Sequence, residues 1–435
     1  MRNTSKQLVA QLGITELTPI QKDALEQYPS FEEVVLYSPT GSGKTLAFLL
    51  PLVELLAEKD SFSRGVQAII LSPTRELAVQ IETVFKSLKT DFSITACYGG
   101  HSVKTEVNNL AAHPTVIVGT PGRISDHLNR RNLVLKGTSF FVVDEFDKCL
   151  ELGFHTEIEH IIGQMNSLKK SFYGSATRID EFPSFIRLKN PVYLNQLKKE
   201  KQPDIRFYEV FTEQDKLTTL RHLITQFNHA PTIVFCNFRE DVDHIASFCA
   251  DNGMAVTPYH GGMEQDERER ALIKFRNQSC PVLVCTDLGS RGLDIPEVKH
   301  IVHFQLPDKE DAFIHRNGRT ARMAADGNAY VFREDYPKFD LPKLSPFELK
   351  TSLSYVLPKW NTLYFSAGKK NKINKIDVLG FICQKGKLGK EDVGVIAVLD
   401  YASYVAICSK DIDALLRELR NHKVKGQKLK IAHSN

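Results

Sequence analysis

The sequence of 435 residues predicts an α/β fold, with two tandem parallel-sheet domains followed by a small α+β domain. Short apolar runs alternate with longer helical stretches through most of the chain, a pattern typical of βαβ units and of a parallel sheet. A polar stretch at Asn195–Asp204 separates two such series. A proline-bearing connection at about Glu334–Trp360 leads to a third, basic segment.

The strand-like runs are short and rich in β-branched and aromatic residues, and helical stretches such as Lys44–Glu58 separate them. Those of the first series lie at Glu33–Ser38, Val66–Ser72, Thr115–Thr120 and Ser139–Glu145. Those of the second lie at Thr232–Cys236, Pro281–Asp287 and His300–Phe304. We therefore expect domains over about residues 1–200, 205–345 and 360–435.

Composition indicates an ordinary globular chain, with 42% hydrophobic and 25% charged residues. The longest apolar stretch, Leu46–Ala57, is too short to cross a bilayer, and the first residues lack the apolar region of a signal peptide. We therefore expect a cytoplasmic protein. The eight cysteines form no CxxC pair, so we expect neither disulfides nor a zinc site.

Charge is distributed unevenly along the chain. Residues Asn361–Asn435 hold 14 Lys and Arg against 7 Asp and Glu, whereas the rest holds 42 against 45. The basic segment therefore favours a polyanionic partner, although a lysine-rich soluble surface is an open alternative.

A phosphate-binding loop is predicted at Ser38–Thr45, SPTGSGKT, because this segment follows a strand and opens a helix. The glycines allow backbone N–H groups to surround phosphate, and Lys44 reaches the β- and γ-phosphates. The hydroxyl of Thr45 would be a ligand of Mg²⁺. An ordinary glycine turn is the alternative.

The run FFVVDEFD ends a buried strand on two adjacent carboxylates, Asp144 and Glu145. Ligands of parallel sheets bind beyond the carboxyl ends of the strands. With a phosphate loop nearby, we expect Asp144 to hold Mg²⁺, partly through water, from a strand neighbouring that of the loop. Glu145 would then orient and deprotonate the attacking water. A solvated strand end is the alternative reading.

Nine segments in a fixed order carry a resemblance to a known family. They are TPIQ (Thr18–Gln21), SPTGSGKT, PTRELA (Pro73–Ala78), Gly99-Gly100, TPGR (Thr120–Arg123), DEFD (Asp144–Asp147), SAT (Ser175–Thr177), TDLGSRGLDIP (Thr286–Pro296) and HRNGRTAR (His315–Arg322). In this order and over about 300 residues, the chain resembles the DEAD-box RNA helicases. The resemblance implies two RecA-like domains that close around ATP and single-stranded RNA.

For ATP, the resemblance implies that Gln21 reads the adenine edge and that Thr40, Gly41, Ser42, Gly43, Lys44 and Thr45 hold phosphates. Asp147 would contact Ser175 and Thr177, linking hydrolysis to strand separation. From the second domain, Asp294 would contact the nucleotide and His315 the DEFD and SAT segments. Arg319 and Arg322 would approach the γ-phosphate, where an arginine offsets transition-state charge.

For RNA, the matching positions are small, backbone-exposing or cationic, as expected for contacts to phosphates rather than to bases. They are Pro73, Thr74, Arg75, Gly100, Thr120 and Arg123 in the first domain, and Asn237, His260, Gly261, Thr286 and Arg291 in the second. The chain departs from the family at Phe146, usually alanine, and at Leu17, Asn317 and Ala321. It also lacks the phenylalanine expected upstream of Gln21.

The basic segment resembles the C-terminal RNA-binding domain of DbpA-type DEAD-box proteins, a divergent RRM. We predict strands at Thr362–Ala367, Val393–Leu399, Tyr404–Cys408 and Lys428–Ala432, and helices near Ile376–Cys383 and Ile412–Asn421. Tyr364 and Tyr404 occupy positions where an RRM stacks aromatic rings on RNA, while Ala402 stands where another aromatic would be. Packing within the small domain is the alternative for both tyrosines.

The resemblance therefore implies an ATP- and Mg²⁺-dependent RNA helicase that opens short duplexes non-processively. The DbpA-type segment would deliver it, as a monomer, to ribosomal RNA during large-subunit assembly. Two alternatives stay open: an ATP-gated RNA-binding clamp with little unwinding, and a DNA-directed superfamily-2 translocase.

Overall fold

The structure is a computed structural model. It describes residues 8–27, 29–39, 42–58, 65–100, 103–179, 181–197, 205–212, 215–287, 298–320, 326–333, 338–409 and 411–434. These residues divide into two compact units, one on each side of the boundary between residues 202 and 203. Over the ranges just given, no helix combines the length and the apolar character needed to cross a membrane.

Seven parallel strands form the sheet of the first unit, in the order β3-β4-β2-β5-β6-β1-β7. Helices cover both faces, so neighbouring residues of one strand are buried on opposite sides. Ile69 packs with the cluster around Phe146, and Ile70 packs with the cluster around Phe48. The strands are β1 (Glu33–Tyr37), β2 (Ala68–Leu71), β3 (Ile94–Cys97), β4 (Val116–Gly119), β5 (Phe140–Val143), β6 (Lys170–Ser175) and β7 (Val192–Asn195).

The helices of the first unit mostly begin just after a strand ends, which places their N-termini at one edge of the sheet. Thr74 caps one of them, because its Oγ1 accepts a hydrogen bond from Leu77 N at 3.3 Å. Pro121 starts another at the position that proline favours. The helices are α1 (Pro19–Gln27), α2 (Lys44–Glu58), α3 (Arg75–Ser87), α4 (Val103–Ala111), α5 (Pro121–Asn129), α6 (Phe146–Glu151) and α7 (His155–Gly163).

The second unit begins with another parallel sheet of seven strands, in the order β10-β11-β9-β12-β13-β8-β14. Its strands are β8 (Ile205–Val210), β9 (Thr232–Cys236), β10 (Val256–Tyr259), β11 (Val282–Thr286), β12 (His300–His303), β13 (Gly327–Phe332) and β14 (Ser345–Pro346). Its helices are α8 (Lys216–Gln226), α9 (Arg239–Asp251), α10 (Gln265–Arg276) and α11 (Glu310–Asn317).

A small domain completes the second unit. Its antiparallel sheet has the order β16-β17-β15-β18, and two helices cover one face through an apolar cluster that includes Leu363, Val405 and Leu419. The elements are β15 (Asn361–Phe365), α12 (Lys375–Lys385), β16 (Val393–Val398), β17 (Ser403–Ile407), α13 (Ile412–Arg420) and β18 (Ile431–His433). The predicted βαββαβ order is confirmed, with each strand and helix within about three residues of its expected bounds.

The other face of the small sheet lies against the second parallel-sheet domain. Thr362 on β15 is buried there, and its Oγ1 is 3.2 Å from Asn277 Nδ2 and 2.7 Å from Ser279 Oγ, just beyond α10. The connecting segment adds Tyr355, whose hydroxyl accepts a hydrogen bond from Ala255 N at 3.2 Å. The small domain is therefore docked on its neighbour by buried polar contacts.

The predicted fold class is confirmed, because two parallel sheets precede a small α+β domain. One detail of the prediction is wrong. We expected Asp144 to follow a strand next to that of the phosphate loop, but β6 lies between β5 and β1. The pairing of β6 with both strands is a long-range contact, and the apolar pattern of each strand does not encode its neighbours.

Candidate nucleotide and RNA sites

The described part of the phosphate loop is closed around the Lys44 ammonium. Lys44 Nζ donates to Ser38 O at 2.6 Å and to Pro39 O at 2.8 Å, and the side chain is buried. Thr40 and Gly41 lie outside the described residues. Gly43 has φ +93°, and a Cβ at this position would be 2.3 Å from Gln21 Nε2, so only glycine fits.

The Gln21 side chain is buried and packs against this loop. Its Nε2 donates to Gly43 O at 3.1 Å, and its Oε1 accepts from Thr18 N at 3.0 Å. The contact with Gly43 O joins the TPIQ segment to the phosphate loop, and the contact with Thr18 N holds the Gln21 side chain within its own segment. Reading of adenine by Gln21 stays a prediction.

Asp144 and Lys44 come together across Gly174, a residue that sequence reasoning missed. A Cβ at Gly174 would lie 3.4 Å from Asp144 Oδ1 and 4.0 Å from Lys44 Cδ. The glycine belongs to β6, the strand between the phosphate loop and the carboxylates. Its signal in the sequence was a glycine inside the otherwise bulky run KSFYGS.

The two carboxylates are buried and crowded. Burial, with the nearby Glu145 as a second cause, raises the pKa of Asp144 to about 7, although the Lys44 ammonium partly opposes this. Asp144 Oδ1 accepts a hydrogen bond from Glu145 N at 3.0 Å. Glu145 itself has φ 48° and ψ 53°, a left-handed conformation that is strained for a residue with a side chain.

These residues fit a divalent cation. Asp144 brings a buried carboxylate whose charge the protein does not fully compensate, as its raised pKa shows. Thr45 follows Lys44 in the first turn of α2 and offers a hydroxyl oxygen, and hard cations such as Mg²⁺ prefer oxygen ligands of these kinds. The buried hydroxyls of Ser38 and Ser42 also make no hydrogen bond to the described protein atoms.

Among the residues predicted to couple hydrolysis to RNA, Asp147 contacts Thr177. Thr177 Oγ1 donates to Asp147 Oδ2 at 2.8 Å. Ser175 Oγ donates to Thr177 O at 2.6 Å and accepts from Thr177 N at 3.2 Å. The DEFD and SAT segments are thus linked through Thr177, with Ser175 shaping the turn that presents it.

Phe146, which departs from the family pattern, is completely buried in this region. Its ring centroid is 5.4 Å from that of Tyr173 and 5.7 Å from that of Phe182. The phenylalanine therefore fills the core behind the carboxylates and makes no change to their charge.

The first-domain positions predicted for RNA gather at one edge of the sheet. Thr74 and Arg75 begin α3 after β2, Gly100 follows β3, and Thr120 and Arg123 begin α5 after β4. These three strands are adjacent. The Arg75 guanidinium lies against the glycine pair, since a Cβ at Gly100 would be 2.2 Å from Arg75 Nη1. Pro73, next to the capping Thr74, belongs to the same edge.

In the second unit, Asn237 is held by the loop that follows β12. Its N–H donates to Gln305 Oε1 and its Nδ2 to Leu306 O, both at 2.8 Å. His260 Nδ1 accepts from Gly262 N at 3.1 Å, and its Nε2 lies 2.9 Å from Asp243 Oδ1. Gly261 is exposed between them.

Arg316 is a residue that sequence reasoning missed, although it stands inside HRNGRTAR. It is 1% exposed, and its Nε and Nη2 donate to Asp287 at 2.6 and 2.7 Å. Nη1 donates to Gln305 O at 2.6 Å and Nη2 to Asn237 Oδ1 at 2.9 Å. The guanidinium therefore ties its own HRNGRTAR segment to two others that carry predicted site residues, those of Asn237 and Thr286.

Of the other second-domain positions, Thr286 ends β11 next to Asp287, and His315 and Arg319 lie at the end of α11 and just beyond it. Asp294, Arg291 and Arg322 lie outside the described residues. Asn317, a departure from the family, is explained by a buried contact, because His303 Nε2 is 3.0 Å from its Oδ1. Burial lowers the pKa of His303 to about 3, so the ring is neutral and donates from Nε2.

Tyr364 and Tyr404 are directly opposite one another on β15 and β17, with ring centroids 5.6 Å apart. Tyr404 is only 7% exposed, because this face of the sheet is docked on the second domain. Burial raises the pKa of Tyr404, and Arg270, Asp266 and Glu269 of α10 lie near enough to affect it. Stacking of either ring on RNA stays a prediction that would require this face to be open.

Three family models match successive parts of the chain. Residues 18–184 match the DEAD/DEAH box helicase family, residues 215–324 the helicase conserved C-terminal domain, and residues 362–433 the DbpA RNA binding domain. The "ATP-dependent RNA helicase DbpA" of Bacillus subtilis (strain 168) is 31% identical, over 98% of this chain and 96% of its own length.

Two solved structures have the same fold over most of the chain. S. cerevisiae Dbp5, bound to RNA and ADP BeF3, has a TM-score of 0.68 at 25% identity, over 77% of this chain and 88% of its own. Mss116p, bound to ssRNA and AMP-PNP, has a TM-score of 0.71 over 80% of this chain and 78% of its own. At 24% identity, the second likeness concerns the fold alone.

Proposed function

Because this chain belongs to the DEAD-box ATP-dependent RNA helicases of the DbpA type, we propose that it unwinds short RNA duplexes non-processively on structured ribosomal RNA. The chain is an RNA-dependent ATPase and helicase with a DbpA-type RNA-binding domain. Its ATP-binding residues, its use of Mg²⁺ and its RNA target belong to the proposal.

One observation carries the catalytic part of the proposal: Lys44 and Asp144 flank the bare Gly174, and Glu145 stands beside them on a strained backbone. Lys44 would exchange its two carbonyl partners in the loop for the β- and γ-phosphates of ATP. Glu145 would accept the proton of the attacking water. Thr45 and Asp144 would hold Mg²⁺, which supplies positive charge to the phosphates.

The second domain would contribute charge and nucleotide contacts when the two domains close. Arg319 and Arg322 would stabilise the γ-phosphate in the transition state, and Asp294 would contact the nucleotide. The Thr177–Asp147 hydrogen bond supports a role of these residues in linking hydrolysis to RNA, because it joins the SAT segment to the helix that follows Glu145.

The RNA contacts would be blind to sequence, since the gathered first-domain positions are backbone-exposing or cationic. Choice of substrate would come from the small domain, whose 14 Lys and Arg against 7 Asp and Glu favour a phosphate-rich surface. We propose ribosomal RNA during assembly of the large subunit as that substrate, and a cytoplasmic monomer as the working form.

The test compares ATP hydrolysis with RNA, with DNA and with neither, followed by strand separation of short and long RNA duplexes beside a structured large-subunit ribosomal RNA. Stimulation by RNA alone and unwinding limited to short duplexes support the proposal. Stimulation by DNA would favour a DNA-directed translocase. RNA binding that depends on ATP without hydrolysis or unwinding would favour a clamp.

A further inference from the structure

Glu106 is a buried carboxylate that the ATP chemistry does not use. It lies on α4 shortly after Gly100, and its side chain is completely buried. Its Oε1 accepts a hydrogen bond from Tyr98 N at 2.9 Å. Its Oε2 accepts from Arg123 Nε at 2.7 Å and lies 2.8 Å from His127 Nε2.

The donors to Glu106 belong to segments that carry predicted RNA contacts. Tyr98 immediately precedes the glycine pair, and Arg123 lies in the first turn of α5, in TPGR. Arg75 of PTRELA lies against the same glycine pair. A single carboxylate thus binds two of these stretches, and the third contacts the glycine pair that follows Tyr98.

His127 holds the carboxylate from the other side. Its Nδ1 lies 3.3 Å from Asn132 Nδ2, an amide nitrogen that can only donate. The ring therefore accepts at Nδ1 and donates from Nε2 to Glu106. Burial alone would raise the pKa of Glu106, but the hydrogen bonds from His127, Tyr98 N and Arg123 outweigh it and hold the pKa below its usual range.

A metal site is the competing interpretation, because Cys97, Glu106 and His127 have ligand atoms within 4.8 Å of one another. The Arg123 guanidinium already supplies the positive charge beside Glu106. Burial also raises the pKa of Cys97 to about 12, which keeps the thiol protonated. The cluster therefore fits a buried ion pair with directed hydrogen bonds.

We propose that Glu106 is a positioning residue for RNA binding, which fixes the Arg123 guanidinium and the glycine turn in the orientation that receives RNA phosphates. An arginine held by its Nε loses less side-chain freedom when it meets a phosphate than a mobile one does. The inference rests on the proposed function, because it takes Arg123 as an RNA contact.

The main test is Glu106→Gln in the full chain, assayed as ATP hydrolysis against the concentration of polyuridylate. The glutamine amide oxygen is uncharged, so it binds Arg123 and His127 more weakly than the carboxylate oxygen does. The half-saturating RNA concentration should therefore rise by about three- to tenfold. The maximal rate should stay within about twofold, because no ATP contact changes. Glu106→Asp, too short to reach both Tyr98 N and Arg123, should shift the RNA concentration in the same direction.

Glu82→Gln is the matched control. Glu82 also accepts from a β3 backbone N–H, Ala96 N at 3.2 Å, but its cationic neighbour is Lys86 at 2.9 Å. It should leave the half-saturating RNA concentration unchanged. A rise equal to that of Glu106→Gln would mean that loosening this strand edge, rather than Arg123, is responsible, and would overturn the inference.

Arg123→Ala, alone and combined with Glu106→Gln, separates the possible failures. If Glu106 acts through Arg123, the half-saturating RNA concentration of the double variant equals that of Arg123→Ala alone. If the increases caused by the two single substitutions add fully in the double variant, the inference is overturned. If Arg123→Ala raises the half-saturating concentration but both Glu106 variants match the wild type, only the positioning role is wrong. If RNA does not stimulate the wild type, or Arg123→Ala has no effect, the proposed RNA contacts themselves are wrong.

Discussion

Replacing Phe146 by alanine should separate the stability of the first domain from its chemistry. The ring is fully buried and packs on Tyr173 and Phe182. Removal of a buried phenylalanine costs about 3–5 kcal/mol through lost transfer energy and the cavity left behind. The carboxylates keep their charge, so hydrolysis in the folded protein should stay within about tenfold of wild type.

The assay must report on the first domain alone. The only tryptophan, Trp360, belongs to the second unit, so its fluorescence is a poor probe. Hydrogen exchange of the β5 and β6 amides reports the local free energy of opening directly. Phe85→Ala, which removes an equally buried ring from the opposite apolar cluster, is the control for loss of stability without a change beside the carboxylates.

Both variants should lower the protection of the β5 and β6 backbone amides against hydrogen exchange. Phe146→Ala should in addition change the dependence of ATP hydrolysis on RNA, because the ring packs close to the SAT segment. Two results would refute this reasoning. One is a Phe146→Ala protein that keeps wild-type protection, which would mean that the cavity collapses without cost. The other is a fully folded Phe146→Ala protein without ATPase activity, which would make the ring part of the catalytic geometry.

Three further predictions concern the site and the small domain. Glu145→Gln should keep ATP and RNA binding while losing turnover, and Lys44→Ala should weaken ATP binding itself; equal turnover of Glu145→Gln and wild type would reject the role of the base. Burial raises the pKa of Asp144 to about 7, so between about pH 4 and pH 7 the folded metal-free domain binds a proton that the unfolded chain has released. The free energy of unfolding of the first domain should therefore fall as the pH rises through this range. Asp144→Asn should flatten that slope in denaturation measured at several pH values. A chain ending after Tyr355 should still fold and show RNA-stimulated ATPase activity, but it should lose the preference for ribosomal RNA over bulk RNA. Competition assays at two salt concentrations measure this preference. If the preference is unchanged, the small domain is better regarded as a protein-binding module.

Much of this protein was determined by local patterns in the sequence. Apolar runs of four to six residues that alternate with longer helical stretches predict buried strands, and the polar segments that follow them lie at the edge where parallel sheets bind ligands. The position of Asp144 just beyond a strand end, and that of Lys44 at the start of the helix after another strand, were predictable for this reason, whereas their roles stay predictions. So was the small domain at residues 361–433, because each of its strands and helices has its own periodicity and boundary residues.

What the tertiary structure alone decided is which segments become neighbours. Strand β6 inserts between β1 and β5, and its Gly174 then brings Lys44 and Asp144 together. Glu106 and Arg316 are ordinary charged residues in sequence, yet each is buried beneath segments that local reasoning treats as independent. Tyr404 stands where the resemblance predicts an RNA-stacking ring, but it faces another domain. Periodicity specifies which face of an element is buried, whereas the partner that buries it depends on contacts between residues distant in the chain.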